Sequence, residues 1–175
     1  MTVKVLHSQE QIERRVTELA QNVTRDLGTE NLAVIGLLED SFVFMADLIR
    51  KIEGEMVCYF MKADVEEEEQ RVSRVKRIFY SPELDIHDKN VLLIGGVLDT
   101  GVTLDYLTKH LLQGGPKQLK TCYLIDKPYS RRISANADYA GFVVDSSESR
   151  FIVGYGLAHS NRFRNLPFLA TLTVA

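Results

Sequence analysis

Short apolar runs alternate along this chain with longer stretches of helical periodicity. Behind Ser8, Glu10 and Gln11, the residues Ile12, Val16, Leu19, Ala20 and Val23 recur at the spacing of one helix face, with Ser8 placed as an N-cap. LAVIGLL, Leu32 to Leu38, is apolar without interruption, the pattern of a strand buried on both faces. SFVFMADLIRKI then sets Phe42, Met45, Leu48 and Ile49 on one helical face, and MVCYFM, Met56 to Met61, predicts a second strand. KNVLLIGG predicts a third strand, and TLDYLTKHLLQGG a helix stopped by Gly114, Gly115 and Pro116. LKTCYLI, Leu119 to Ile125, is a fourth strand, and YAGFVV a short fifth.

Strands alternating with helices predict an α/β fold with a mainly parallel sheet. Ligands of such sheets bind outside the carboxyl ends of the strands. Three segments, LLEDS, GGVLDTGVT and LIDKP, end strands at that edge and are therefore expected side by side. Residues 62–88 break the alternation. They carry DVEEEEQRVSRVKRIF, in which four glutamates, Glu66 to Glu69, precede a basic stretch whose RVSRVKRIF alternates like an exposed edge strand. This excursion is expected as a lid or a solvated hairpin, and the glutamates as a solvated face or an anion-excluding lid.

Composition narrows the class without naming a reaction. The 175 residues are expected to form one domain over 1–175, and 45% hydrophobic with 26% charged content is ordinary for a globular chain. A formal charge of −3 argues against nucleic acid as a partner. The apolar runs fall short of the roughly 20 residues that cross a bilayer, and the polar, charged opening MTVKVLHSQEQIERR argues against a secretory signal. Cys58 and Cys122 lie in apolar strand-like runs and are expected as buried free thiols in a reducing cytoplasm. His7, His87, His110 and His159 have no metal-ligand spacing.

DTGVT is the stretch with candidate chemistry. Gly101 permits a tight turn, and the helix that follows opens with free backbone N–H groups. With the hydroxyls of Thr100 and Thr103 these form a small cup for an anion such as a monophosphate. Equally, the same residues describe a capped strand–helix turn with Asp99 or Thr100 as the cap.

The order and spacing of LAVIGLLEDSFVFMADLIRKI, KNVLLIGGVLDTGVTLDYLTKHL, CYLIDKP and FIVGYGLAHSNRFRNLP resemble those of the hypoxanthine-guanine phosphoribosyltransferases, from about Val5 to about Leu169. The resemblance implies a type I phosphoribosyltransferase fold with a small hood from the N- and C-terminal segments. It implies transfer of phosphoribose from phosphoribosyl pyrophosphate (PRPP) to hypoxanthine or guanine, giving IMP or GMP and pyrophosphate with magnesium, and a homodimer or homotetramer. By the same resemblance Asp99 is the acid near purine N7, and Asp99, Thr100, Gly101, Val102 and Thr103 wrap the 5′-phosphate. Lys127 donates to the 6-oxo group, Phe151 stacks on the base, Ile152 reads its edge through the backbone, and Arg164 faces pyrophosphate.

Several positions depart from the family pattern. Gly95 and Gly96 stand where the family has an acidic pair, and Ala158 where it has a metal-ligating aspartate. Glu39 and Asp40 replace the Lys-Gly of the pyrophosphate loop, which in the family often holds a non-proline cis peptide, and DVEEEEQ replaces the lid's Ser-Tyr. Two carboxylates there repel a polyanion, at about 1 kcal/mol per contact near 4 Å in water and about 4 kcal/mol at intermediate dielectric. The residues kept face base and phosphate; those lost face metal, ribose diol and pyrophosphate. Magnesium is then expected on the substrate's own phosphates. Two functions follow: a salvage enzyme with weakened PRPP binding, or a paralogue without turnover that binds purine nucleotide as a sensor or partner subunit.

Overall fold

The computed structural model describes residues 2–66, 74–80, 84–145 and 151–173, with the backbone alone for 64–66 and 74–80. Strand β1 (Thr2–His7) leads into helix α1 (Gln9–Leu27), whose start is fixed by a reciprocal cap. The Ser8 hydroxyl accepts from the Gln11 N–H at 3.3 Å, and the Gln11 side chain accepts from the Ser8 N–H at 2.8 Å. Two otherwise unpaired amides are satisfied in this way, and losing such a cap costs about 1 kcal/mol. Ile12, Val16, Leu19, Ala20 and Val23 all turn inward.

The chain continues through β2 (Leu32–Leu38), α2 (Phe42–Ile49), β3 (Met56–Glu66), β4 (Arg74–Tyr80), β5 (Asn90–Leu98), α3 (Val102–Leu112), β6 (Gln118–Asp126) and β7 (Tyr139–Val143). β8 (Ile152–Val153) and β9 (Leu169–Thr173) follow. Six strands form one sheet in the order β4-β3-β2-β5-β6-β7, parallel throughout except for the antiparallel β3–β4 edge. β1, β9 and β8 form a separate antiparallel sheet, the hood expected from the two chain ends.

The unbroken apolar runs are explained by cover on both faces. Along β5, Leu92 and Ile94 join the α1–α2 side of the core, while Val91 and Leu93 join the α3 side. All four are fully buried, as are Val34 and Ile35 of β2. Each such side chain contributes about 1.5–3 kcal/mol. The connection β2–α2–β3 runs one way across the sheet and β5–α3–β6 the other. The order therefore reverses between β2 and β5, and a crevice opens where their following loops diverge.

Some boundaries differ from expectation. β3 runs to Glu66, five residues past Met61, and β5 continues two residues beyond Gly96. In the excursion, β4 is the antiparallel sheet edge that its alternation predicts. Glu67, Glu68 and Glu69 lie outside the described residues, and Glu66 is described by its backbone alone. Cys122 is buried as expected, but Cys58 is exposed. It sits on β3, one strand from the edge, beside the exposed Val57 and Phe60, where the sheet has less cover.

Candidate active site

The loops after β2 and β5 enclose a cavity of about 390 Å³, with Asp40 on one side and residues 96–101 and Thr103 on the other. Gly101, at φ +86°, is the N-cap of α3, and no side chain caps the helix. This corrects the expectation that Asp99 or Thr100 supplies the cap. Thr100 Oγ1 only brushes the Val102 N–H, at 3.5 Å. The left-handed turn is one that glycine adopts freely, and a Cβ at Gly101 would lie 3.0 Å from that of Ala135. Apart from that long Val102 contact, no side-chain cap occupies the first-turn amides of α3, which point outward at the positive end of the helix dipole. Val102 is 6% exposed, its side chain buried with the core.

Lys127 follows β6 and is 5% exposed. Its N–H donates to the Leu98 carbonyl at 3.0 Å, tying its turn to that of Asp99. Burial lowers its pKa from the ordinary lysine value, and the nearby Asp99 carboxylate opposes that shift. Phe151 is 39% exposed and meets the edge of His159, with ring centroids 4.7 Å apart. Ile152 is buried in β8, paired with Thr171. Neither Phe151, Ile152 nor Lys127 lines the cavity of Asp99.

The loop after β2 contains a non-proline cis peptide, Leu38–Glu39, as the resemblance implies. Its carboxylates are not isolated. Arg164 donates to Asp40 at 2.7 Å, to Glu39 at 3.3 Å and to the Gly156 carbonyl at 2.6 Å, while Lys62 reaches Glu39 at 3.3 Å. The arginine expected to face pyrophosphate is thus held by two carboxylates of the protein itself. Arg164 lines a second, larger cavity, of about 870 Å³, between α1, α2 and the segment around Pro167.

The two glycines of β5 are explained by what covers them. Gly95 pairs in register with Tyr123 of β6, and a Cβ at Gly95 would stand 2.1 Å from the Tyr123 ring. A Cβ at Gly96 would stand 2.6 Å from the Asp40 Cβ and 2.8 Å from the Asp40 carbonyl oxygen. Side chains cannot enter at either position without displacing these neighbours. Tyr123 is 3% exposed, and burial pushes its phenol above the usual range.

Tyr123 is a wall of the cavity that periodicity alone files as core. Its pairing opposite the glycine of IGGV is the signal that could have marked it. Sequence reasoning likewise missed Arg131, although it lies four residues after Lys127 in DKPYSRR. No three His, Cys, Asp or Glu among the described residues are grouped so as to hold a metal ion. With Gly95 and Gly96 occluded and Ala158 carrying only a methyl, the described residues do not fit a protein-held magnesium site.

A model of the phosphoribosyl transferase domain matches residues 2–160. The hypoxanthine-guanine phosphoribosyltransferase of Aquifex aeolicus is 38% identical over 94% of this chain and 92% of its own length. The hypoxanthine phosphoribosyltransferase of Escherichia coli K12 is 33% identical over 96% and 94%. A crystal structure of a hypoxanthine-guanine phosphoribosyltransferase from Bacillus anthracis, with HEPES in its active site, matches with a TM-score of 0.87 at 36% identity, covering 97% of this chain and 98% of that one. The chain belongs to the phosphoribosyltransferase family, and within it to the hypoxanthine-guanine phosphoribosyltransferases.

Proposed function

We propose that this protein is a purine-salvage phosphoribosyltransferase that converts hypoxanthine or guanine and PRPP to IMP or GMP and pyrophosphate. The observation that carries this reading is the uncapped α3 N-terminus beside Asp99, with the buried Lys127 bonded to the same turn. The phosphoribosyl 5′-phosphate accepts hydrogen bonds from the first-turn amides and the hydroxyls of Thr100 and Thr103. Lys127 donates to the 6-oxo group of the base; an ammonium has only donors, so a 6-amino purine is disfavoured.

The purine N9 forms a bond to C1′ of the ribose as the C1′–O bond to pyrophosphate breaks, the electron pair leaving with pyrophosphate. Asp99 accepts the proton that the base loses at N7. The protein supplies alignment and charge stabilisation, with no covalent nucleophile. Magnesium, which the family chemistry implies, would arrive on the phosphates of PRPP, because that ion keeps its waters and needs few protein ligands. We further propose Phe151 as the stacking face, the Ile152 backbone as the edge reader, and Glu39, Asp40 and Arg164 as the pyrophosphate side. No helix among the described residues is long and apolar enough to cross a membrane, and the reaction asks for none. A homodimer or homotetramer in the cytoplasm suits the family.

The test is an assay of purified protein with PRPP, magnesium and hypoxanthine, following pyrophosphate release and IMP formation together. Equal rates of both are expected. Tight IMP binding with no pyrophosphate released would move the chain to the binding-only alternative.

A further inference from the structure

Arg131 links the two turns that carry the chemistry, and no family position above assigned it a role. Its side chain is 13% exposed and its guanidinium pairs with Asp126, whose side chain is 15% exposed. Nη1 donates to the carbonyls of Leu98 at 2.9 Å, Asp99 at 2.5 Å and Lys127 at 3.2 Å, and Nε donates to that of Ala135 at 2.8 Å. Every nitrogen of the fork is engaged, three contacts going to main-chain atoms of the Asp99 and Lys127 turns. The segment behind it adds to the grip: the Arg132 N–H donates to the Thr100 carbonyl at 3.0 Å. The Arg131 Cδ also lies 3.4 Å from where a Gly101 Cβ would be.

A planar guanidinium fixes the directions of all its donors at once, unlike an ammonium on a flexible stem. It therefore sets the distance and angle between the anion cup at Asp99–Thr103 and the base-binding Lys127. Resting on the function proposed above, we infer that Arg131 is a positioning residue that holds the phosphate cup and the base pocket at the separation a nucleoside monophosphate spans. It touches neither end of the ligand. A ligand that occupies both ends gains from binding them at a fixed spacing, whereas a fragment occupying one end gains nothing from that spacing.

The experiment compares three probes, IMP, ribose 5-phosphate and hypoxanthine, by calorimetry on wild type, Arg131→Lys and the double variant Arg131→Met/Asp126→Asn. The double variant leaves no unpaired carboxylate at Asp126. IMP affinity is expected to fall by about tenfold or more in the double variant, with both fragments held within about threefold. Arg131→Lys, which keeps the charge but reaches fewer carbonyls, should fall between. Equal losses for IMP and the fragments would make Arg131 a plain fold residue and overturn the inference, as would unchanged IMP binding. If the double variant does not fold, Arg131→Lys carries the same comparison. Wild-type protein that binds neither IMP nor ribose 5-phosphate would remove the proposed function itself, and the inference with it.

Discussion

The crevice has two sides built on different terms. On the Asp99 side, the polar groups are the first-turn amides of α3 and the buried Lys127, whose main-chain N–H is bonded to the Leu98 carbonyl. On the Asp40 side, the charged groups are spent on one another: Arg164 and Lys62 are paired with Glu39 and Asp40, and the glycines of β5 lie under Tyr123 and Asp40. Glu39 and Asp40 are 54% and 53% exposed, so each pair contributes only about 0.2–1 kcal/mol. Their importance lies in occupancy, since a pyrophosphate must displace carboxylates to reach Arg164. One side leaves its helix amides without a side-chain cap; the other pairs its charges internally.

The strongest attack on this contrast is to restore acids on β5. Gly95→Glu/Gly96→Asp should overpack the crevice at about 1–3 kcal/mol per site, visible as a fall in Tm of at least roughly 5 °C. Pyrophosphate release should not rise. A stable variant with much faster turnover would show that the Asp40 side yields easily and that the contrast is false. A milder change sharpens it instead. Asp40→Asn removes one carboxylate from Arg164, and calorimetry should show pyrophosphate binding about tenfold tighter, with IMP within about twofold. Weaker pyrophosphate binding would mean that Asp40 serves the ligand and does not compete with it.

The smallest effect is a pH dependence on the Asp99 side. Because burial lowers the Lys127 pKa, its proton is lost in the fold at a pH where the unfolded chain, near about 10.4, still holds it. As pH rises through that window the unfolded state binds more protons, so this group's contribution to stability increases with pH. Hypoxanthine affinity should fall over the same window, because the charged donor disappears. Lys127→Met should flatten both trends; an affinity profile unchanged by that substitution would detach Lys127 from the base.

How much of this was legible in the sequence follows from which interactions are local. The strands and helices could be read because β2 and β5 are covered on both faces and α1 on one, so burial writes its period directly into LAVIGLL, VLLI and the Ile12–Val23 spacing. The strand–turn–helix unit around Gly101 was legible because a strand, a glycine turn and a helix start are contiguous. Arg131 was not, since its partners at Leu98 and Asp99 are more than thirty residues away and main-chain carbonyls have no residue type to notice. The pairing of Arg164 with Asp40, across 124 residues, was invisible for the same reason, and the two carboxylates could be read only as uncompensated charge. The cap at Gly101 was missed because helix-start rules look for a side-chain acceptor, and here a left-handed glycine turns the chain without one.

The ring of Tyr123 over Gly95 also constrains how such a sequence can drift. A side chain at position 95 is admitted only after the tyrosine has shrunk, and a shrunken residue 123 beside a glycine leaves a void of the kind that costs about 3–5 kcal/mol. Either order of change passes through a damaged intermediate, so the two positions act as a ratchet: a glycine at 95 covered by an aromatic at 123 is not exchanged one substitution at a time.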